Sequence, residues 1–378
     1  MSKITRVEAT HVNVKLPRDF GGSIYSVPEK NAIVTRVFTD HGPVGEAVNG
    51  EGSRAMMAAT FDVLTRELIP RVIGEDATNI EAVWKRMWGL THTSNRDRRQ
   101  EIRAIACLDS ALWDMKGKAA GMPLYKLWGG ANDRVPIIAI GGQYHPDYKP
   151  ADYGREMEFY RGIELAGCKF KVGGRSPEED AERTRAALAG GGEGFTLCVD
   201  ANRGWPLKTA LDYARLVRDL PLRWFEEPCH WDDDKVSMAK MRALTGMPIC
   251  AGQSESTAQG CRDMIREGAI DICNLDASWG GGPTVWLRVA KMAEVFGVEM
   301  AHHGEPVVGS HLIAAVANGT YMETHHPDRD PVFHKMVQGR GKIAGGRYEM
   351  PTKPGWGIEL DQGMIDTYKL SHFGGTGA

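Results

Sequence analysis

The sequence predicts an α/β protein in which a TIM-type barrel of parallel strands follows an α+β unit. The chain has 378 residues, enough for a barrel of about 250 residues and a second unit. Strands followed by helices are predicted in the first third, and short apolar runs then alternate with amphipathic stretches. Polar residues recur at the ends of successive predicted strands, spaced 23 to 29 residues apart, which is one βα unit each time.

The first third of the chain is typical of an α+β unit. Residues 4–16 and Ala32–Phe38 alternate apolar and polar side chains and predict two strands. Between them, Pro17–Glu29 is rich in glycine, proline and polar residues and predicts a long loop, of the kind that often covers a functional site. Amphipathic helices are then predicted over residues 54–69, 79–88 and 99–119.

After Gly129-Gly130 the pattern changes to alternating strands and helices. The predicted strands are Val135–Ile140, Cys168–Val172, Phe195–Val199, Leu222–Phe225, Pro248–Ala251, Ile270–Leu275, Val298–Ala301 and Thr320–Glu323. The helices between them include Ser176–Leu188, Leu207–Leu220, Lys235–Leu244, Thr257–Glu267, Pro283–Phe296 and Ser310–Ala317. Eight strands with interleaved helices indicate a parallel barrel. An open doubly wound sheet is the rival fold, but no G-x-G-x-x-G turn follows the first strand.

Composition excludes several classes of partner. The hydrophobic fraction is 42%, the charged fraction 25% and the net charge −3, without a basic stripe that would bind nucleic acid. No run of about 18 apolar residues predicts a membrane span, and no signal peptide is apparent. Seven cysteines is an odd number, and several lie in apolar strand-like runs, which is typical of reduced, buried thiols. We therefore expect a cytoplasmic protein with no membrane or nucleic-acid partner.

The polar residues in phase with the strands are the strongest functional signal. They are Lys171, Asp200, Glu226, Gln253, Asp276 and His303. In a barrel, the carboxyl ends of all strands form one rim, and that rim carries the active site. A single acid at a strand end usually caps a helix, but six polar residues in phase predict a common site.

The residue types at this rim indicate a particular chemistry. Asp200 and Glu226 are hard oxygen donors on adjacent strands and, with a third oxygen, suit Mg2+. Lys169 and Lys171 point to the same face of one strand, and we expect their proximity and the metal to leave some Lys171 as neutral amine near pH 7. Asp276 hydrogen-bonded to His303 would fix the imidazole tautomer and leave a base.

Five motifs together resemble the enolase superfamily, specifically its mandelate racemase-like subgroup, over essentially the full length. They are Ala111-Leu112-Trp113-Asp114-Met115-Lys116-Gly117-Lys118, Pro123-Leu124-Tyr125-Lys126-Leu127-Trp128-Gly129-Gly130, Lys169-Phe170-Lys171-Val172-Gly173-Gly174, Val199-Asp200-Ala201-Asn202 and Trp224-Phe225-Glu226-Glu227-Pro228. The resemblance implies a (β/α)7β TIM-type barrel with an α+β capping domain built from the N-terminal region and the C-terminal tail. The corresponding boundaries are residues 1–128 for the cap, 129–324 for the barrel and 325–378 for the returning segment.

The resemblance also implies roles for the rim residues. Lys171 is a base, Lys169 a partner of the substrate carboxylate, Asp200 and Glu226 metal ligands, and Asp276 with His303 the second base. The third ligand position departs from the usual glutamate, so either the amide of Gln253 or the carboxylate of Glu255 is expected to complete the Mg2+ site. A glutamate that the family uses to stabilise the intermediate falls opposite Val307, and Glu305 is expected to replace it.

The expected reaction is Mg2+-dependent abstraction of the proton α to a carboxylate, leading to dehydration of an aldonic or aldaric sugar acid, as in a hydro-lyase. The polar residues expected to bind a polyol substrate are Asn202, Tyr144, His145, His302 and Glu305. A racemase or epimerase acting by 1,1-proton transfer is the alternative enzyme. A non-catalytic barrel with a decayed metal site is the alternative from another class. The partners expected are a small carboxylate substrate and further copies of this chain in a homo-oligomer.

Overall fold

The computed structural model describes residues 2–375. Its strands are β1 (Ile4–Gly21), β2 (Ser26–Thr39), β3 (Gly45–Gly50), β4 (Arg134–Gly141), β5 (Gly167–Lys171), β6 (Thr196–Asp200), β7 (Phe225–Glu226), β8 (Ile249–Ala251), β9 (Ile272–Cys273), β10 (Glu299–His302), β11 (Gly319–His325), β12 (Val337–Gln338), β13 (Ile343–Ala344), β14 (Arg347–Glu349), β15 (Glu359–Leu360) and β16 (Lys369–Gly375). Its α-helices are α1 (Arg54–Val63), α2 (Ile69–Val72), α3 (Ile80–Trp88), α4 (Arg98–Ala119), α5 (Leu124–Leu127), α6 (Pro150–Gly162), α7 (Pro177–Gly191), α8 (Leu207–Leu216), α9 (Asp234–Thr245), α10 (Ala258–Arg266), α11 (Pro283–Val295), α12 (Pro306–Ala315) and α13 (Gln362–Tyr368).

Strands β4 to β11 form a closed parallel barrel, and the predicted fold class is confirmed. Each strand pairs with the next in chain order, and β11 closes the ring by pairing with β4, with Met322 beside Ile137. Helices α6 to α12 lie between successive strands. The apolar strand residues are buried, which explains why the barrel strands are continuous apolar runs rather than alternating ones.

The cap is a four-stranded antiparallel sheet in the order β16-β1-β2-β3, with helices α1 to α4 following β3. Alternation along β1 buries Val7 and Ala9, whose neighbours are more exposed. Strand β16 pairs with β1, with Val7 opposite Gly375. The C-terminal tail therefore supplies an edge strand of the capping sheet.

The segment Pro17–Glu29 is not the long loop that its composition predicts. Strand β1 continues to Gly21 and β2 begins at Ser26, so the two strands form an extended hairpin with a short turn. The pairing is irregular between Lys15 and Phe20. Backbone hydrogen bonds hold this hairpin although many of its side chains are exposed, and sequence patterns that depend on burial do not detect such pairing.

Two buried aspartates fix the position of helix α4. The Asp109 carboxyl group accepts hydrogen bonds from the backbone N–H (2.9 Å) and hydroxyl (2.7 Å) of Thr284, at the start of the barrel helix α11. The Asp114 carboxyl group accepts from the backbone N–H groups of Glu46 in β3 and of Trp356 in the C-terminal segment, each at 2.8 Å. Helix α4 is therefore held against the barrel through Asp109, and against the capping sheet and the C-terminal segment through Asp114, by oriented polar groups as well as by apolar packing.

None of the helices described within residues 2–375 is long and apolar enough to cross a membrane.

Candidate active site

The six residues predicted from strand spacing all lie at the carboxyl-end rim of the barrel. Register pairs Lys171 with Asp200, and Asp200 with Glu226, on the neighbouring strands β5, β6 and β7. Gln253 follows β8, and Asp276 and His303 follow β9 and β10. All are buried except His303, whose side chain is 12% exposed.

Two lysines and three carboxylates form one buried ionic cluster. Lys169 Nζ lies 2.9 Å from Glu226 Oε1, 2.8 Å from Glu323 Oε1 and 3.7 Å from Asp200 Oδ2. Lys171 Nζ lies 2.6 Å from Asp200 Oδ2. Three carboxylates therefore face two ammonium groups, and burial together with the Asp200 charge raises the pKa of Glu226 to about 8. The cluster is one positive charge short, which suits an additional cation.

The carboxylates of the cluster favour the charged form of Lys171, so the neutral amine expected near pH 7 depends on the metal ion and stays a prediction. Burial is the largest single influence and penalises the ammonium form, but the surrounding negative groups, Asp200 foremost, together outweigh it and raise the pKa of Lys171 above its ordinary value. The same opposition, with the carboxylates of Glu226 and Glu323 prevailing, raises the pKa of Lys169. The sequence places two lysines side by side, but it does not reveal that each has its own carboxylate.

Glu323 is a site residue that the sequence reasoning missed. It lies near the end of β11, it is buried, and its Oε2 accepts a hydrogen bond from the backbone N–H of Gly304 at 3.0 Å. It ends the predicted strand Thr320–Glu323 and continues the series of polar residues at strand ends. Following that series from His303 to the eighth strand would have identified it.

His303 and Asp276 form the predicted pair. His303 Nδ1 lies 3.0 Å from Asp276 Oδ2, and Asp276 Oδ1 accepts backbone hydrogen bonds from Ser278 (2.8 Å) and Trp279 (3.2 Å). With Nδ1–H donating to the carboxylate, Nε2 is left as a proton acceptor. Burial, together with the positive charge of Lys169, holds the pKa of His303 well below its usual range. Its imidazole is therefore neutral near pH 7.

The oxygen donors available for Mg2+ include one buried atom that has no partner. Gln253 Nε2 donates to Glu227 Oε2 at 2.8 Å, whereas Gln253 Oε1 is buried without a hydrogen bond. Asp200 and Glu226 supply two carboxylates on the adjoining strands. Two carboxylates and an amide oxygen are the hard donors that Mg2+ prefers, so the residues present fit this ion.

Glu255 lies in the loop beyond Gln253, and its carboxylate is directed toward helix α10. A Cβ atom built on Gly260 of that helix would collide with Glu255 Oε2. Within residues 2–375, Glu255 does not join Asp200 and Glu226 in a group whose ligand atoms all lie within 4.8 Å of one another. Of the two candidates for a third ligand, Gln253 has the free buried oxygen.

The cap contributes a second set of charges that the sequence did not reveal. Glu51, just after β3, lies 3.9 Å from His303 Nδ1 and 3.1 Å from His325 Nε2. Lys30 on β2 lies 2.5 Å from Glu51 Oε1 and 3.4 Å from Asp330 Oδ2. The carboxylates of Glu51 and Asp276 and the imidazole of His303 have ligand atoms within 4.8 Å of one another. The cap thus reaches the His303–Asp276 pair through Glu51.

The tip of the β1–β2 hairpin closes over the same rim. Ser23 Oγ donates to the carbonyl of Ala201 at 2.9 Å, and the backbone N–H of Tyr144 donates to the carbonyl of Gly21 at 3.1 Å. The Tyr25 ring lies 5.9 Å from Lys171 Nζ. The turn of this hairpin therefore lies directly above Lys171.

The residues expected to bind substrate lie in different settings. Asn202 donates to Asp200 through its backbone N–H (2.8 Å) and its side chain (3.2 Å), and its Oδ1 is buried without a partner. The Tyr144 hydroxyl already bonds Asp180 and the Gly174 N–H, and the buried His145 ring packs 4.2 Å from Tyr148.

The two remaining residues of that set are directed toward other groups. The buried His302 accepts a hydrogen bond from the Ala277 N–H at 3.1 Å, so its ring does not lie beside Asp276 as that of His303 does. The Glu305 carboxylate accepts from the Gly50 N–H and the Ser278 hydroxyl, at the junction with the cap. Burial is the largest influence that raises the pKa of Glu305, to about 8.

Most of the chain matches two models of known protein domains. Residues 4–129 match the mandelate racemase/muconate lactonizing enzyme N-terminal domain, and residues 154–364 match the enolase C-terminal domain-like model. The chain belongs to the mandelate racemase/muconate lactonizing enzyme family.

Relatives within this family carry out several reactions. The chain is 30% identical to an arabinonate dehydratase of Saccharolobus solfataricus, covering 89% of this chain and 90% of the relative. It is also 30% identical to a 3,6-anhydro-alpha-L-galactonate cycloisomerase of Streptomyces coelicolor, covering 95% and 97%. A crystal structure of a family member from a marine actinobacterium, in complex with magnesium, is 44% identical, with a TM-score of 0.91 over 98% of this chain and all of that chain.

Proposed function

We propose that this family member catalyses the Mg2+-dependent dehydration of an aldonic or aldaric sugar acid to a 2-keto-3-deoxy acid. The observation that carries the proposal is the position of Lys171 and the His303–Asp276 pair around one ionic cluster. Lys171 comes from β5 and His303 from the end of β10, so proton-transferring groups face the cluster from different sides of the ring. This arrangement supports removal of a proton next to a carboxylate. The proton can then be replaced at the same carbon, or the β-hydroxyl can be eliminated.

Lys169 is proposed to bind the substrate carboxylate, since its ammonium group lies among the carboxylates of the cluster and its pKa is raised. Asp276 is proposed to hold the His303 tautomer, with Nε2 toward the substrate. Glu323, which contacts Lys169, is proposed to hold the Lys169 ammonium group in position for the substrate carboxylate. Asn202, Tyr144, His145, His302 and Glu305 remain predicted substrate contacts, and the unpartnered Oδ1 of Asn202 is the best supported of them.

The protons of the reaction can be accounted for on these residues. Either Lys171 or His303, in its neutral form, accepts the α-proton when the C–H bond breaks. A protonated partner donates to the β-hydroxyl, the C–O bond breaks and water leaves. The resulting enol takes up a proton at C3 and becomes the ketone. The Asp200 carboxylate favours the charged form of Lys171 and burial favours the neutral form of His303, whereas Mg2+ held by Asp200 would offset the first effect and allow Lys171 to serve as the base.

Asp200, Glu226 and the amide oxygen of Gln253 are proposed to hold the Mg2+, in preference to Glu255. When bound, the ion supplies electrostatic stabilisation of the negative charge that develops on the carboxylate, which a general base alone does not provide. The pairing of a Lys or His base with Mg2+ is the general pattern for the enolase superfamily. With a neutral third ligand, the two lysines and the ion together exceed the three carboxylates of the cluster by one positive charge, which attracts an anionic substrate.

Two relatives support the reaction class without defining the substrate. The arabinonate dehydratase aligns with most of this chain, and the name of the cycloisomerase also contains an anhydro-sugar acid. A racemase or epimerase would use the same two proton-transferring groups without expelling water.

The test is a screen of an aldonate and aldarate library with purified protein and MgCl2, followed by semicarbazide detection of 2-keto acids. A keto product from one or a few acids is expected, and EDTA should abolish it. An epimerised acid without keto product would instead assign the chain to the 1,1-proton transfer reaction. No α-proton exchange in D2O with any acid would contradict both enzymatic assignments and favour a non-catalytic barrel.

We also propose that the protein works in the cytoplasm and forms a homo-oligomer. All seven cysteines are buried as free thiols, which supports a reducing compartment. The homo-oligomer stays a prediction, to be checked by light scattering after size exclusion.

A further inference from the structure

The buried side chains of Glu227 and Gln253 form a contact that the proposed reaction does not use. Gln253 Nε2 donates to Glu227 Oε2 at 2.8 Å, and Gln253 Oε1 has no partner. Glu227 directly follows the proposed ligand Glu226, yet its carboxylate is directed to Gln253 rather than into the ionic cluster. We infer that Glu227 is a positioning residue that orients the Gln253 amide so that its oxygen, and not its nitrogen, is presented to the metal.

An amide needs such an orienting partner because its two ends are nearly equal in shape. Rotation by half a turn about the last side-chain bond exchanges the oxygen for an NH2 group, which repels a cation. A carboxylate partner accepts only from the NH2 end when it is ionised. Glu227 therefore favours one of the two orientations, and that orientation leaves the oxygen free.

Glu227 is itself held in place. Arg203 NH2 lies 3.2 Å from Glu227 Oε1 and 3.3 Å from Asp234 Oδ2, and the backbone N–H of Arg203 donates to the Glu227 carbonyl at 2.8 Å. Both Glu227 (φ 38°) and Arg203 (φ 62°) adopt left-handed backbone conformations, which non-glycine residues rarely occupy. Such conformations persist only where surrounding contacts enforce them.

The backbone of Gln253 is fixed by a second buried amide. Asn274 Oδ1 accepts from the Gln253 backbone N–H at 3.0 Å, and Asn274 Nδ2 donates to Glu226 Oε1 at 2.8 Å. Gly252, with φ of 139°, turns the chain immediately before Gln253 and packs against the following strand. The backbone of Gln253 is thus fixed by other groups, and the contact with Glu227 acts on the rotation of the Gln253 side-chain amide.

The role of Glu227 can be isolated because it acts only through the Gln253 amide. Replacing Gln253 by methionine removes that amide while keeping a side chain of similar length. A further change at position 227 should then have no effect on Mg2+ binding, whereas a direct contribution of Glu227 to the metal site would persist.

The experiment measures Mg2+ affinity by calorimetry, without substrate, for the wild type, E227Q, E227M, Q253M and the double variant E227M/Q253M. It rests on the proposed ligand role of Gln253. We expect E227Q to remain within about threefold of the wild type, because an amide oxygen can still accept from Gln253. Q253M should weaken binding by at least about tenfold, because it removes the proposed ligand. E227M/Q253M should bind within about threefold of Q253M, because no amide is left to orient.

E255Q is the matched control, since it removes a carboxylate in the same loop and should leave Mg2+ affinity unchanged. E227M removes the acceptor altogether and should weaken binding about tenfold. If E227M does not fold, E227A takes its place in the comparison, since it removes the same acceptor and adds no bulk.

E227M binding Mg2+ within about threefold of the wild type would overturn the inference. Additive effects of the two substitutions would also overturn it. Failure of this inference is distinguishable from failure of the proposed function. The semicarbazide assay measures the reaction, whereas calorimetry measures how the orientation of the Gln253 amide affects Mg2+ affinity. A keto product with additive Mg2+ affinities removes only the role of Glu227.

Discussion

Replacement of Lys30 by methionine should destabilise the protein through the charges that it leaves behind. The Lys30 side chain is 8% exposed and contacts Glu51, which is 10% exposed, and Asp330, which is 3% exposed. Burial opposes ionisation of Glu51, but Lys30 and His325 prevail and hold the pKa of Glu51 well below its usual range. Methionine preserves most of the volume and removes the compensating charge, so two carboxylates remain buried near each other.

Breaking a buried ion pair by removing one partner destabilises proteins by about 3–5 kcal/mol. We expect K30M to fall in that range, and K30M/E51Q to lose about 1–3 kcal/mol less than K30M, because one of the stranded charges is gone. The measurement is the urea midpoint followed by tryptophan fluorescence and circular dichroism, with a common m-value. The loss should persist in about 0.5 M NaCl, since buried charges are weakly screened.

The matched control is K208M. Lys208 pairs with Asp212 at 2.7 Å on helix α8, but the Lys208 side chain is 86% exposed. An exposed pair of this kind contributes at most about 1 kcal/mol. The buried pair is not what holds this part of the cap if K30M destabilises the protein no more than K208M does. The same conclusion follows if K30M/E51Q loses as much free energy of unfolding as the single variants K30M and E51Q lose when their losses are added.

Three further predictions concern the site and its surroundings. K171A and H303N should each lower turnover by at least about 10²–10⁴-fold while Mg2+ binding is retained, and residual α-proton exchange in D2O should report the face served by the remaining base; near-wild-type turnover would refute the role of the replaced residue. EDTA should remove activity, and Mg2+ should restore it without refolding. Burial is the main cause that raises the pKa of Asp109 to about 7, against about 3.9 in an unfolded chain. Between those two pH values the folded protein keeps a proton that the unfolded chain loses, so the stability of the wild type falls as pH rises. The free energy of unfolding of D109N, relative to that of the wild type, should therefore increase on the order of 1–3 kcal/mol from pH 5 to about 8. A free-energy difference between the two proteins that does not change with pH would contradict this.

The sequence predicted the barrel and most of its rim because both depend on regular spacing. One βα unit separates each polar residue from the next, so Asp200, Glu226 and Gln253 could be assigned to neighbouring strand ends without knowing any contact. Glu323 obeys the same rule and could have been found by following the series one strand further. The fold class can therefore be predicted from the regular spacing of strands and helices, which can be read from the sequence without knowing any contact.

The charges supplied by the cap follow no such period. Lys30 and Glu51 come from an antiparallel sheet, and their meeting with Asp330 depends on how that sheet packs on the barrel. The charged state of Lys171 likewise depends on a distance of 2.6 Å to one carboxylate oxygen, and a sequence pattern does not contain that distance. The extended hairpin was hidden because backbone pairing holds it while its side chains remain largely polar.

The pairing of β16 with β1 has a consequence for the newly made chain. Val7 lies opposite Gly375, so one side of β1 has no partner until nearly all of the chain has left the ribosome. At about 5–20 residues per second, that interval is on the order of tens of seconds. An open strand edge is a template for pairing with other chains during that time. The barrel segments emerge within this interval, whereas the capping sheet is completed last, so aggregation during synthesis should be most sensitive to changes along β1.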